Sequence, residues 1–364
     1  MNEQQQDQVK AKAYQRSQLG LEITEQICTL LFLLVWVVAA PLLVDYLGER
    51  NRYALLILVS TFIYVSYQLA LFVLDYLGGF RLEHKYGLST ETLEAWLWRH
   101  AKMVVLAGLL LGGLMIALYT AFWYLRYWYL WCWLGWIGLS VLLAQVFPVI
   151  ILPIFYPSER LDDPELMESF VKLSEGTGIT VQGIYRLELS KTTRKGNAML
   201  TGVGRTRRVL LGDTLLDRLT PEQLKVIYAH ELGHHVHRHF LKMIGLHALM
   251  SSIVLALLYL VLHGAQADYS VAVARLPVVA LTLSLFSFLS RPIAAGASRH
   301  FERQSDEYAL ERTGTPGAFI EAFDILASQN LADLNPPRWV VIFYHDHPPI
   351  GERIAMAQNW VRPS

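Results

Sequence analysis

The chain has 364 residues, and its 31 basic and 31 acidic side chains cancel to a formal net charge of zero. It is 54% hydrophobic and only 17% charged, against about 25% charged in an ordinary soluble domain. The even balance excludes a nucleic-acid-binding footprint, and a charge deficit gathered into long apolar runs excludes a simple soluble globule.

Residues 1–26 are a polar, Gln-rich segment. The first apolar run behind them is too long for the core of a cleavable signal peptide and reads as an uncleaved anchor. A helix needs about 20 apolar residues to cross a bilayer. Residues 27–156 offer four such spans: Ile27–Leu47, Tyr53–Leu74, Met103–Leu125 and the long run Tyr127–Tyr156. Pro148 and Pro153 should kink or end the fourth. Cys28 and Cys132 sit inside these runs and read as small buried hydrophobes. Tyr124, Tyr127, Trp128, Tyr129 and Trp131 surround Arg126, which predicts a tight turn at the headgroup level.

Residues 157–241 form a polar insertion, expected to be α+β. A helix is predicted over 163–177, capped by Asp162 or Asp163. Ile184–Leu189 and Arg207–Gly212 alternate like strands. Gly202 and Gly204 mark a turn between Asn197–Thr201 and the second of these strands. Arg205, Arg207 and Arg208 read as its solvated edge. Thr220-Pro221-Glu222-Gln223 is a helix start, with Thr as cap, Pro in the first turn and Gln three residues on.

Residues 242–297 hold a fifth span, Met243–Leu262, and a shorter sixth, Leu276–Ser290. The sixth lies between Arg275 and Arg291, whose side chains would have to snorkel. Residues 298–364 close the chain with a helix over 301–312 and a Pro-punctuated tail. Lys and Arg are richer on the side carrying the N-terminus, the 81–99 loop, the insertion and the tail. That side is predicted to be cytosolic, in a bacterial inner membrane or the endoplasmic reticulum. The fold class is therefore an α-helical multi-pass membrane protein of about six spans with an α+β catalytic segment.

Within the insertion, His230-Glu231-Leu232-Gly233-His234 reads H-E-x-x-H. On a helix, His230 and His234 share one face and can bind one metal ion, with Glu231 beside it as a general base. A catalytic zinc takes three protein ligands and leaves a position for water. No third histidine follows at short spacing, and His235, His237 and His239 are expected to be decoys, the first two turned toward solvent or headgroups. A distant carboxylate should complete the site. Glu302 and Asp306 are i, i+4 on one helical face, so Glu302 can bind the metal while Asp306 accepts the other ring N–H of a ligand histidine. Glu307 competes as ligand, and a solvated charged helix is the alternative reading of the segment.

These motifs resemble those of the type I CAAX prenyl proteases, membrane-embedded zinc metalloproteases of the gluzincin class. The likeness rests on H-E-L-G-H, on Ser298-Arg299 followed by Glu302 and Asp306, and on Asn197-Ala198 with the run Arg208–Leu216. It also includes Glu83–Leu88 and His347-Pro348-Pro349 with Glu352-Arg353. It extends from about residue 55 to the end. Ser305 stands where the family usually has alanine.

The resemblance implies a ring of six membrane helices around a chamber, where eukaryotic members have seven. It implies one Zn2+ per chain on His230, His234 and Glu302, with Asp306 behind them and Glu231 as the base. His347 would stabilise the oxyanion and Arg353 would help hold the substrate. Asn197 and Ala198 would lie on the strand that pairs with the peptide. The expected partners are a peptide or protein substrate, prenylated or hydrophobic, and the lipid bilayer, with no nucleic acid and an oligomeric state left open. The implied function is cleavage near the substrate's C-terminus. The alternatives are a heat-shock-type membrane quality-control protease and an inactive zinc-containing membrane scaffold.

Overall fold

A computed structural model of the chain describes residues 3–202 and 207–361. Helix α1 (Glu3–Leu47) is continuous over 45 residues, so the polar segment from residue 3 is the first half of the helix that becomes the first span. Its Gln, Lys, Ala and Glu residues are all good helix formers. Helix α2 (Arg52–Tyr76) starts at Asn51, whose side chain accepts the Tyr53 N–H at 2.9 Å. It runs on through a π-helical turn (Leu77–Leu82) into α3 (Glu83–Lys85). Helices α4 (Leu93–Tyr124) and α5 (Trp128–Val146) are joined by the short turn 125–127. Pro148 deforms the fourth span as expected: the helix widens into a π-helical turn (Phe147–Ile151) and ends as α6 (Leu152–Phe155).

The insertion holds strand β1 (Ser158–Arg160), helix α7 (Pro164–Ser174), strands β2 (Gly183–Leu187), β3 (Ala198–Thr201) and β4 (Arg208–Gly212), and helices α8 (Asp213–Leu216) and α9 (Pro221–Val236). Asp163 is the residue that caps α7, accepting the Leu166 N–H at 2.9 Å. The sheet order is β1-β2-β4-β3, parallel between β2 and β4 and antiparallel elsewhere, which leaves β3 on an edge. The predicted turn residue Gly204 and Arg205 lie outside the described residues. Thr220 and Gln223 form the expected reciprocal cap of α9.

The chain continues as α10 (His239–Leu262), α11 (Tyr269–Ala274), α12 (Leu276–Thr313), α13 (Pro316–Gln329), α14 (Arg338–Tyr344) and α15 (Ile350–Gln358). The expected short sixth span and the expected helix over 301–312 are one 38-residue helix, α12, with Pro292 inside it. The flanking arginines have partners within the protein: Arg275 donates to the carbonyls of Val261 and His263, and Arg291 pairs with Glu22 at 3.0 Å.

Among the described residues, six helices are long and apolar enough to cross a membrane: Gln6–Leu47, Arg52–Lys85, Leu93–Tyr124, Trp128–Phe155, His239–Leu262 and Tyr269–Thr313. Their outer faces are apolar and exposed, as at Val35, Val38 and Leu42 of α1, while Leu33, Ala40 and Val44 of the same helix are buried. Such a surface is stable only against lipid, so the chain is an integral membrane protein. The aromatic group near Arg126 is split. Tyr124, Tyr127 and Trp131 are exposed, with Arg126 5.3 Å over the Tyr127 ring, whereas Trp128 is buried in the core with Phe122 and Tyr119.

At one end of the bundle the insertion, the C-terminal helices and the N-terminal half of α1 meet. Gln8 and Gln15 donate to the carbonyls of Ala332 and Leu331, and the Tyr14 hydroxyl donates to Glu83 at 2.6 Å. A second core lies here, between the sheet, α7, α9 and α13, around Phe170, Tyr228, Leu211 and Leu232.

Candidate metal centre

Helices α9 and α12 carry the site and pack closely. A Cβ on Gly233 would lie 3.0 Å from the Ser305 Cα, so a larger residue there would press the two helices apart. The contact brings together ligand atoms of His230, His234 and Glu302, all within 4.8 Å of one another. His230 Nε2 is 3.3 Å from one Glu302 oxygen, and His234 Nε2 is 3.2 Å from the other. The two imidazole Nε2 atoms are 3.3 Å apart. Glu307, the competing ligand, is exposed on the far side of α12.

The proton positions show what this cluster is built to hold. His230 Nδ1 donates to Asp306 at 2.9 Å, which turns its Nε2 lone pair toward Glu302. Glu302 Oε2 is buried and makes no hydrogen bond. Burial alone would lower the His230 pKa, but the carboxylates of Asp306 and Glu302 override it and raise it to about 9. These carboxylates call for positive charge beside His230, which a second proton on its ring would supply. A cation satisfies the same three acceptors without one, so the donor set fits a metal ion.

Both histidines of the cluster are braced from behind. Asp306 is fully buried and takes the Arg353 guanidinium on both oxygens, at 2.8 and 2.5 Å. Arg353 itself lies 4.1 Å over the Phe323 ring. Its guanidinium is buried behind the ligands, which differs from the expectation that it holds substrate. A buried carboxylate left unpaired would be costly, and Arg353 is the cation that reaches it.

His239 is not a bystander: its Nδ1 is 3.1 Å from His234 Nδ1, and its Nε2 is 3.0 Å from Gln304 Oε1. Gln304 can only accept at that oxygen, so His239 Nε2 donates and its Nδ1 accepts from His234. The His234 Nε2 lone pair is thereby left facing the metal position. Ser305 Oγ lies 3.5 Å from the same His239 nitrogen. His239 escaped the sequence reading because Arg238, with φ of 55°, breaks the helix before it, and helical phase cannot be carried across such a residue.

Glu231 leaves the ligand face, and one of its oxygens accepts the Leu200 N–H of β3 at 3.3 Å. His235, expected to face solvent or headgroups, is half-buried and its Nε2 donates to the Leu200 carbonyl at 3.0 Å. The Gly212 N–H bonds to the Asn197 carbonyl. By antiparallel alternation, Met199 and Thr201 also face β4, while Ala198 and Leu200 turn their backbone groups outward. His347 stands on the open side, half-exposed, with Nε2 3.3 Å from Glu302 and Nδ1 2.8 Å from Asp346. The Asp346 carboxylate, outweighing burial, raises the His347 pKa. Two carboxylates flank this imidazole, and a base stands beside three converged acceptors.

The family model described as peptidase family M48 matches residues 160–361, and the one described as CAAX prenyl protease N-terminal, five membrane helices, matches residues 2–157. The chain belongs to peptidase family M48. In this M48 chain residues 6–155 form four long helices, and the match begins well before the motifs that carry the sequence resemblance. An uncharacterized metalloprotease of Bacillus subtilis, YhfN, is 32% identical over 60% of this chain and 54% of its own length. CAAX prenyl protease 1 of Saccharomyces cerevisiae is 25% identical over 77% of this chain and 67% of its own. The chain thus spans about half to two thirds of the length of these curated relatives. The crystal structure of S. mikatae Ste24p superposes with a TM-score of 0.82 at 21% identity, covering 96% of this chain and 88% of that one. The two share a fold.

Proposed function

We propose that the chain is a membrane-embedded zinc metalloendopeptidase that cleaves hydrophobic or prenylated peptides near their C-terminus, with its site on the cytosolic side. The observation that carries this reading is the convergence of three acceptors from His230, His234 and Glu302 beside the carboxylate of Glu231. Three ligands with an adjacent base suit a catalytic site, whereas structural zinc sites are closed by four. The prenyl proteases among the relatives support the substrate class. The excess of Lys and Arg at the end of the bundle that holds the site supports its cytosolic placement.

Zinc bound there would supply Lewis acidity and bring a water's pKa toward ~7. Glu231 would take the proton of that water and deliver it to the leaving amine. His347 would donate from Nε2 to the oxyanion that develops on the substrate carbonyl. The outward backbone groups of Ala198, with Asn197 beside it, would align an extended peptide by main-chain hydrogen bonds. Asp306 and Arg353 would hold His230 in place.

The test is zinc content and cleavage of a farnesylated peptide beside its unprenylated twin, in detergent, with Glu231→Gln as control. The expected outcome is one zinc per chain in both proteins, turnover of the prenylated peptide preferred, and turnover reduced by at least about a thousandfold in the variant. Undiminished cleavage by zinc-loaded Glu231→Gln protein would remove Glu231 from the mechanism.

A further inference from the structure

The open edge of β3 is shorter than its four residues suggest. Both outward groups of Leu200 are taken by α9, the N–H by Glu231 and the carbonyl by His235. Ala198 is then the residue whose outward groups are left for a peptide, because before it Asn197 bonds to β4 and both backbone groups of Gly196 bond to the Asn330 side chain. Backward from Ala198 lies a cavity of about 430 Å3 between the 193–197 segment, α1 and the end of β2.

The cavity wall mixes polar groups with the apolar side chains of Leu152, Leu187, Leu189 and Met199 and is almost uncharged. Tyr14, Gln15, Gln18, Tyr156, Asn197 and Asn330 contribute neutral groups, and Lys195 is the one charged residue among the described residues that line it. Lys195 Nζ is held from behind by Glu83 at 2.9 Å and by the Tyr14 hydroxyl at 2.9 Å. Glu83 faces a different cavity, beside Asp75 and His100. The ammonium lies within 3.1 Å of the second Glu83 oxygen as well, and its side chain keeps 34% exposure. The segment is also rigid. Asn330 accepts the Gly196 N–H at 2.9 Å, and Gln329 donates to the Arg194 carbonyl at 2.7 Å.

We propose that this cavity receives the free C-terminal carboxylate of the substrate, with Lys195 as the group that binds it. The proposal rests on the peptidase reading above and deepens it. A peptide on the β3 edge could run either way along the strand. A cation at the strand's beginning selects the direction that brings a carboxylate there, which is antiparallel to β3. It also sets how far from the chain end the scissile bond lies, because the carboxylate is anchored while the bond sits at the metal centre. An ammonium–carboxylate hydrogen bond in a walled cavity is among the stronger polar contacts, and the Glu83 counter-charge places the effect at the lower end of that range.

Binding without turnover separates this site from the chemistry. In the full-length Glu231→Gln protein, zinc-loaded and in detergent, we would measure fluorescence anisotropy of a farnesylated peptide dye-labelled at its N-terminus. One form ends in a free carboxylate and the other in a carboxamide. The free acid is expected to bind about tenfold more tightly. Adding Lys195→Gln should erase the difference, Lys195→Arg should keep it, and Glu83→Gln should preserve or widen it. Equal binding of acid and amide in the Glu231→Gln protein overturns the carboxylate site and leaves the peptidase reading intact, and needs no further variant to fold. An acid preference that survives Lys195→Gln overturns the role of Lys195. Failure of both peptides to bind, with no Glu231-dependent cleavage of either, counts against the peptidase reading and this site together.

Discussion

At the scale of single residues, the metal centre is a set of protons placed so that three lone pairs converge. Asp306 fixes His230 and His239 fixes His234, and each is fixed in turn, by Arg353 and by Gln304. Replacing such outer partners commonly costs 10- to 100-fold in metal affinity. His239→Phe keeps the stacking on Phe301, whose ring lies 4.5 Å away, and removes only the acceptor. We expect zinc affinity, measured by chelator competition, to fall about tenfold or more, and His239→Asn to recover part of it. Unchanged affinity in His239→Phe would reduce His239 to packing.

At the scale of elements, strand β4 leads into helix α9 through a turn that one buried carboxylate holds. Asp213, buried at the end of β4, accepts the N–H groups of Leu189, Ser190 and Thr214 and the Ser190 hydroxyl. Burial would raise its pKa, but these four donors outweigh it and hold the carboxyl below its ordinary 3.8. A carboxyl with a depressed folded pKa contributes stability above its unfolded value and loses it as pH falls through the folded value. Asp213→Asn should therefore cost about 1–3 kcal/mol at pH 7, read as a lower melting temperature in detergent. The gap to the parent protein should close as the pH drops below about 4. A gap that persists unchanged at pH 3 would mean that the carboxylate charge is not what matters.

At the scale of the whole molecule, α1 is both a membrane span and a brace for the catalytic end. Tyr14 is buried with Ala11, Leu82, Leu88 and Leu331, drawn from three distant parts of the chain. Tyr14→Ala should destabilise the protein by about 3–5 kcal/mol while leaving chelator-measured zinc affinity unaltered, because no zinc-ligand atom touches it. A parallel loss of zinc would show that the brace and the metal site are coupled. Helix α12 makes a comparable link, since one helix is the sixth span and also the carrier of Glu302 and Asp306.

Much of this was legible in the chain alone. Spans follow from runs of apolar residues, because a bilayer demands about 20 of them and little else. The α9 start follows from Thr220-Pro221-Gln223, and His230 with His234 from helical spacing, since both are local rules. Glu302 and Asp306 were visible as a pair for the same reason. What local periodicity could not reach lay across a break or in a partner's geometry. His239 sits beyond the left-handed Arg238, His235 meets a carbonyl of another strand, and Arg353 is drawn inward by a carboxylate 47 residues away. The fusion of the sixth span with the helix that carries Glu302 also escaped, because Arg291 read as the end of the apolar run, where the helix in fact continues. The sequence by itself determined that the chain is a membrane protein and paired His230 with His234 and Glu302 with Asp306, since hydrophobic length and helical spacing are local. Only the tertiary structure decided which proton each ligand carries and which part of the strand edge stays open. Those depend on hydrogen bonds between elements far apart in the chain.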